Sequence, residues 1–77
     1  MISVDDLMSH RSFSKDEKQS GDNLAWYYRE NIGHDNGELR VCVNTQGGKW
    51  IAYMDGEPIR AGKDMTSLHS LTNTYGD

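Results

Sequence analysis

Apolar and polar residues alternate through the second half of the chain, and glycine-containing turns divide this alternation into short segments. From Leu39 onward the pattern predicts antiparallel strands, followed by a helix that ends near Leu71. Successive side chains of a strand point to opposite faces, so the alternation also predicts which residues share a face. The inward face, which forms the core, is predicted to consist of Val41, Val43, Trp50, Ala52, Met54 and Ile59.

Three two-residue turns set the predicted pairing of these strands. Asn36-Gly37, Gly47-Gly48 and Asp55-Gly56 each have the composition of a tight hairpin turn. Every resulting register keeps apolar residues on one side of the sheet. The predicted pairs are Ile32 with Val41, Glu30 with Val43, Val43 with Ala52, Val41 with Met54, and Ala52 with Ile59. Pro58 lacks a backbone N–H, which places the last strand at a sheet edge.

The segment rich in tryptophan and tyrosine fits two periodicities. The residues at helical spacing are Leu24, Tyr27, Tyr28 and Ile32. The residues that share one face of a strand are Trp26, Tyr28 and Ile32. Tryptophan and tyrosine favour strands, and the Asn-Gly pair that follows favours a hairpin. We therefore favour a strand, with a helix as the alternative.

Both ends of the chain carry helix-start signals. Ser3 can cap a short N-terminal helix. Near the C-terminus Asp64 is a second candidate N-cap, and an apolar stripe follows it at helical spacing. The stripe consists of Met65, Leu68 and Leu71, and it can cover the apolar face of the sheet.

These elements predict an α+β fold. We expect a small antiparallel sheet of three to four strands, a C-terminal helix packed on one face, and a short helical N-terminal segment. Residues 1–22 are expected to be a partly ordered helical segment. Residues 23–72 form the sheet-plus-helix domain, and residues 73–77 form a polar tail.

Size and charge narrow the classes of function. A chain of 77 residues forms one domain, and such a domain buries only about 60% of its unfolded surface, which leaves little room for a deep pocket. The net charge is −4, and residues 1–38 hold eight acidic and four basic side chains while residues 39–77 hold four of each. This excess of acid argues against general electrostatic attraction to nucleic acid or anionic membranes.

Cysteine content and the N-terminal sequence indicate the compartment. Cys42 is the only cysteine, so an intrachain disulfide is excluded and a reducing compartment is favoured. The first residues lack the basic start and apolar run of a signal peptide. No apolar stretch approaches the roughly 20 residues of a membrane helix. We expect a cytoplasmic protein that does not bind membranes.

Candidate catalytic and metal-binding residues are sparse. His10, His34, His69 and Cys42 lack the paired spacing of zinc ligands. In the predicted register His34 and Cys42 lie on opposite faces, so they cannot form a nucleophile–base pair. We predict no catalytic residue, no metal and no cofactor, and a protein that is not an enzyme.

The outward face of the predicted sheet is the best candidate for a functional surface. It combines cations with apolar and aromatic side chains, which is typical of partner-binding surfaces. The predicted partner-binding residues are Arg40, Lys49, Ile51, Tyr53 and Arg60. The alternative is that residues 1–22 or a second copy of the chain, in a homodimer, cover this face.

Two resemblances bear on function. The strands from Glu38 to Tyr53 and the helix from Asp64 to Leu71 resemble the three-strand-plus-helix pattern of AP2 and integrase arm-binding domains. That resemblance implies DNA binding by the sheet face, through Arg40, Lys49, Ile51, Tyr53 and Arg60. The nine residues from Gly48 to Gly56 are also similar to strands of small phage-encoded inhibitors, including some anti-CRISPR proteins.

We predict a non-enzymatic interaction module that binds through its exposed sheet face. The small size, the acidity and the second resemblance favour a phage or mobile-element accessory protein that binds and inhibits a host defence protein. The alternative is a nucleic-acid binder that uses the same face, as in AP2 or integrase arm-binding domains.

Overall fold

The computed structural model describes residues 3–32 and 37–75, which form two helices and five strands. The helices are α1 (Val4–His10) and α2 (Met65–Tyr75). The strands are β1 (Ser14–Lys15), β2 (Leu24–Ile32), β3 (Gly37–Asn44), β4 (Trp50–Met54) and β5 (Glu57–Gly62).

The strands form one sheet in the order β1-β2-β3-β4-β5, and all neighbours are antiparallel. The predicted α+β class, antiparallel sheet, C-terminal helix and short N-terminal helix are confirmed. The sheet has five strands rather than three to four, because β1 was not foreseen in the polar N-terminal segment. The segment with two periodicities is strand β2, and Pro58 lies in edge strand β5 as predicted.

The predicted register between β2 and β3 is wrong. Val41 lies opposite Tyr27, and Val43 lies opposite Ala25, rather than opposite Ile32 and Glu30. The pairing shifts by an odd number of residues, which exchanges the two faces of β2. A bulge toward the end of β2 accompanies the change. Of the predicted Asn36-Gly37 turn, Asn36 lies outside the described residues, while Gly37 is the first residue of β3 and lies opposite Ile32.

The predicted two-residue turn at Gly47-Gly48 is also wrong. Val43 lies opposite Trp50, and Val41 lies opposite Ala52, so the connection is longer than two residues. The Asn44 side chain stabilises this loop by accepting the N–H of Gln46 at 3.0 Å. Because the register differs from the predicted one by an even number of residues, the faces of β3 and β4 are as predicted.

The turn between β4 and β5 is the predicted two-residue turn. Asp55 and Gly56 both have positive φ, 51° and 88°, as a type I′ hairpin turn requires. Beyond it a bulge places Arg60, rather than Ile59, opposite Ala52. The predicted core position of Ile59 is wrong, since this side chain is 43% exposed.

Both helices pack against one face of the sheet. The buried apolar side chains are Leu7, Met8, Phe13, Ala25, Tyr27, Leu39, Val41, Val43, Trp50, Ala52, Leu68 and Leu71. Four of the six predicted core residues are among them, and Met54 is a partly buried neighbour. Helix α1 and Phe13 therefore contribute to the main core, on the same face as α2.

Local hydrogen bonds explain where the helices begin. The Ser3 hydroxyl caps α1 by accepting the Asp6 N–H at 3.1 Å. The Asp64 carboxylate caps α2 by accepting the Ser67 N–H at 2.9 Å. The Ser67 hydroxyl accepts the indole N–H of Trp50 at 3.0 Å, which ties α2 to the sheet. The helix continues through Tyr75, into the segment predicted as a polar tail.

Candidate functional site

The sheet surface turned away from both helices is called the outer face. Its members are Leu24, Trp26, Tyr28, Glu38, Arg40, Cys42, Ile51 and Tyr53, which are half-buried or exposed. The register assigns them to one side, because Cys42 lies opposite both Trp26 and Ile51, and Arg40 lies opposite both Tyr28 and Tyr53. No helix of the described chain packs on this face.

Aromatic side chains form the centre of the outer face. Trp26 and Tyr53 stack with ring centroids 5.8 Å apart and planes inclined by 29°. Two aliphatic side chains flank them, with Leu24 45% exposed and Ile51 42% exposed. A contiguous apolar surface on a small domain is typical of a binding site.

Arg40 lies among these rings and is held by two carboxylates. Its guanidinium carbon lies 5.7 Å from the Trp26 ring centroid and 5.9 Å from that of Tyr28. Its Nη2 lies 2.5 Å from Asp16 Oδ2, and its Nη1 lies 3.6 Å from Glu38 Oε1. The hydrogen bond from Arg40 lowers the pKa of the Asp16 carboxyl, and the bond to Asp16 raises the pKa of Arg40. Both groups therefore remain charged around neutral pH.

The structure brings together three of the five predicted partner-binding residues. Arg40, Ile51 and Tyr53 share the outer face. Lys49 is exposed in the loop just before β4, beside this face. Arg60 is placed differently from the prediction, because the β5 bulge puts it opposite the inward-facing Ala52. The outer face is therefore less basic than the sequence indicated.

Sequence reasoning missed three contributors to this face. Trp26 and Tyr28 were assigned to the inward side by the wrong β2 register. Asp16 lies in a segment with no apolar pattern, and its position depends on the hydrogen bond from its N–H to the Trp26 carbonyl at 2.8 Å.

Cys42 is half-buried on the outer face between Trp26 and Ile51. Burial raises the pKa of its thiol, which disfavours the thiolate form that reacts as a nucleophile. His34, the residue considered as a base for it, lies outside the described residues. The described chain also contains no group of three or more histidine, cysteine, aspartate or glutamate residues placed to hold a metal ion.

A cleft of about 650 Å³ lies between the starts of the two helices and the loop after β3, and Leu24 at the end of the outer face is one of its lining residues. Three of its lining residues contact one another, because the Asp5 carboxylate accepts the Tyr27 hydroxyl and lies 3.6 Å from the Lys15 ammonium. Burial, followed by the bond to Asp5, raises the pKa of Tyr27. Tyr27 is thus a neutral hydrogen-bond donor that anchors α1 to the sheet.

Comparisons with protein-family models, curated proteins and solved structures give no match for this chain. Among residues 3–32 and 37–75, neither helix is long and apolar enough to cross a membrane.

Proposed function

We propose that this protein is a non-enzymatic interaction module that binds another protein through its outer face. The observation that carries the proposal is the one-sided packing of the sheet. Both described helices cover the inward face, while the outer face presents Trp26, Tyr28, Arg40 and Tyr53 without a helix over them. Tryptophan, tyrosine and arginine are the residue types most enriched at energetically dominant positions of protein interfaces.

The outer face is also held in one arrangement by its own contacts. Stacking fixes Trp26 against Tyr53, and the Asp16 carboxylate fixes the Arg40 guanidinium. Side chains that are already ordered lose less conformational entropy when a partner binds. This preorganisation supports binding by a rigid surface rather than by a segment that folds on contact.

The finer proposal concerns the partner. We infer that the partner is a host protein or protein complex whose activity is blocked by binding. The chain would then act as an inhibitor encoded by a phage or mobile element. This proposal rests on the small size, the acidity and the lack of a catalytic motif in the sequence. A second copy of the chain is the competing occupant, and a homodimer measured in solution would support it.

A nucleic-acid partner is the second candidate function. The aromatic rings of the outer face favour it, because bases stack on such rings in single-strand-binding sheets. The charge of the face favours it less. Its central cation, Arg40, is already shared between the carboxylates of Asp16 and Glu38. Lysine and arginine side chains that bind phosphates displace counterions from the nucleic acid. This candidate therefore predicts an affinity that falls steeply with salt.

Affinity capture with and without nuclease tests the proposed function. The tagged chain is used to recover partners, and the recovered protein is then titrated against purified variants. Tyr53→Ala should weaken the complex by about 2 kcal/mol, roughly thirtyfold in Kd. Asn73→Ala, an exposed position of α2, is the matched control and should bind like the wild type.

Three outcomes separate the candidates. A protein that the wild type still captures after nuclease treatment, and that Tyr53→Ala no longer captures, supports the proposal. A protein bound equally by Tyr53→Ala and the wild type contradicts a role for the outer face. Captured material that is lost on nuclease treatment, and whose binding falls steeply with salt, supports nucleic-acid binding instead.

A further inference from the structure

The two ends of the outer face carry opposite charges, and the rows between them are aromatic and apolar. The lysine end, at the start of β4 and the end of β5, carries Lys49 and Lys63. The carboxylate end, around Arg40, carries Asp16, Glu38 and Asp55. The two rows that cross the strands between these ends are Trp26, Cys42, Ile51 and Ala61, and then Tyr28, Arg40 and Tyr53.

The two lysines of the lysine end are not neutralised by the chain itself. The Lys49 carbonyl accepts the Asn44 N–H at 2.7 Å, and alternation along β4 places Lys49 on the same side as Ile51. Lys63 follows the last residue of β5, whose register partner is the first residue of β4. Both lysines are exposed, and neither forms an ion pair with another residue of the described chain. Asp64, next to Lys63, is engaged as the N-cap of α2.

The carboxylate end has more acidic groups than its central cation can neutralise. Arg40 lies 2.5 Å from Asp16 and 3.6 Å from Glu38. Asp55 is exposed, and its carboxylate accepts the Glu38 N–H at 2.9 Å. Further charges of both signs surround these groups, namely Lys15, Glu17, Lys18 and Glu30. Three carboxylates around one guanidinium leave this end negative, while the lysine end is positive.

We propose that the free chain pairs with a second copy of itself through the outer face. The two-fold axis lies in the interface, at right angles to the strands. Such an axis reverses the strand direction, so the lysine end of each copy meets the carboxylate end of the other. It also places the Trp26 and Ile51 row of one copy over the Tyr28 and Tyr53 row of its partner. Every favourable contact therefore occurs twice.

Two observations favour a second copy as the occupant of the face. The N-terminal segment does not cover it, because Leu7, Met8 and Phe13 pack in the core on the inward face. The chain itself also carries both complementary charges, at opposite ends of one aromatic and apolar surface. Two sheets that pack face to face lie about 10 Å apart, a gap that aromatic and aliphatic side chains fill.

This inference goes beyond the proposed function, because it concerns the chain without its partner. The second copy covers Trp26, Ile51 and Tyr53 in the free protein, and a protein partner must displace it. The homodimer and the complex with the partner thus compete for one surface. Partner binding should weaken as the concentration of the chain rises above the Kd of its dimer.

Sedimentation of the purified whole chain over a range of concentrations tests the inference. The wild type should show a monomer–dimer equilibrium that weakens as salt is added. Lys49→Glu and Glu38→Lys should each weaken the dimer about tenfold, because each reversed charge enters the two-fold interface twice. Arg60→Glu and Glu57→Lys are the matched controls. Both positions are exposed on β5, and their register partners on β4 face inward, so the dimer should stay within about twofold of the wild type.

Mixing the two weakened variants separates a lost charge contact from a misfolded chain. In a heterodimer of Lys49→Glu with Glu38→Lys, a carboxylate faces an ammonium at both ends of the interface. The equal mixture should therefore regain most of the wild-type affinity. A single chain that carries both substitutions should regain it as well, because its two reversed charges again attract each other across the axis.

Each outcome decides the inference. A wild-type dimer that both reversals weaken, and that the mixture restores, supports it. A chain that remains monomeric at every concentration overturns it and leaves the proposed function intact. A dimer that the reversals leave unchanged, that the controls weaken equally, or that the mixture does not restore also overturns it. The proposed function is decided separately, by capture with Tyr53→Ala.

Discussion

Trp26 and Tyr53 stack across strand β3, with 5.8 Å between their ring centroids. Neither residue is on β3, and their register partners there are Cys42 and Arg40. The contact therefore joins β2 to β4 over the strand between them. It gives the outer face a fixed aromatic centre before any partner binds.

The stacking should contribute to stability beyond the contributions of the two separate side chains. A double-mutant cycle of Trp26→Ala and Tyr53→Ala should give a coupling energy of about 0.5–1.5 kcal/mol in urea unfolding. The control cycle replaces Tyr53→Ala with Ile59→Ala on β5. Trp26 and Ile59 lie on strands about 14 Å apart, three strand spacings, so their effects should add. Equal coupling in both cycles would show that the stacking contributes nothing specific.

The ion pair between Asp16 and Arg40 should make stability depend on pH. The hydrogen bond from Arg40 lowers the pKa of Asp16 in the folded chain. A carboxyl whose pKa is lowered in the folded state contributes its full stabilisation at pH values above its unfolded-state pKa of about 4. That stabilisation is lost as the pH falls through the folded-state pKa. Asp16→Asn should therefore lower the melting temperature at neutral pH, and this loss should shrink as the pH falls below about 4.

The source of this pH dependence can be checked in a second background. In Arg40→Gln chains, Asp16→Asn should change the melting temperature much less, because the guanidinium that lowers the carboxyl pKa is gone. An effect of the same size with and without Arg40 would assign the pH dependence to the turn after Asp16, where its carboxylate accepts the Gln19 N–H.

Gly56 should be required for its backbone conformation alone. Its φ is +88°, and a Cβ built there meets nothing within 4 Å. Gly56→Ala should therefore lower the free energy of unfolding by about 1–2 kcal/mol through left-handed strain without a steric clash. Gly47→Ala is the matched control, since its Cβ also meets nothing while its φ is not positive. Similar losses at both positions would contradict the assigned turn.

The Cys42 thiol should react slowly in the folded chain. Burial raises its pKa, so less thiolate is present at a given pH than in the unfolded chain. The alkylation rate with iodoacetamide should reach its midpoint at a higher pH in buffer than in urea. Because Cys42 is the only cysteine, the measured rate reports this site alone. A midpoint at or below that of the unfolded chain would indicate an activated thiol.

The faces of β3 and β4 were predictable because the alternation of apolar and polar residues is strong there. Val41 and Ala52 face inward with a two-residue turn and with a longer one, as long as the register shifts by an even number of residues. The buried positions could therefore be correct while the individual pairs were wrong.

The remaining parts of the candidate site depended on features that alternation does not specify. The face of β2 is ambiguous because Trp26 and Tyr27 are both large and aromatic. The bulge in β5 reversed the expected side of Arg60, and a single extra residue leaves no clear sequence pattern. Asp16 reaches Arg40 through the tertiary fold, between segments 24 residues apart.

The most direct test of the docking face compares two isoleucines with almost equal exposure. Ile51 is 42% exposed on the outer face, and Ile59 is 43% exposed at the bulge of the edge strand. Each is replaced by alanine, and Kd is measured for the partner recovered by capture. Ile51→Ala should weaken binding by about fivefold or more, while Ile59→Ala should stay within about twofold of the wild type. Equal losses at the two positions, or a loss with Ile59→Ala alone, would contradict binding through the outer face.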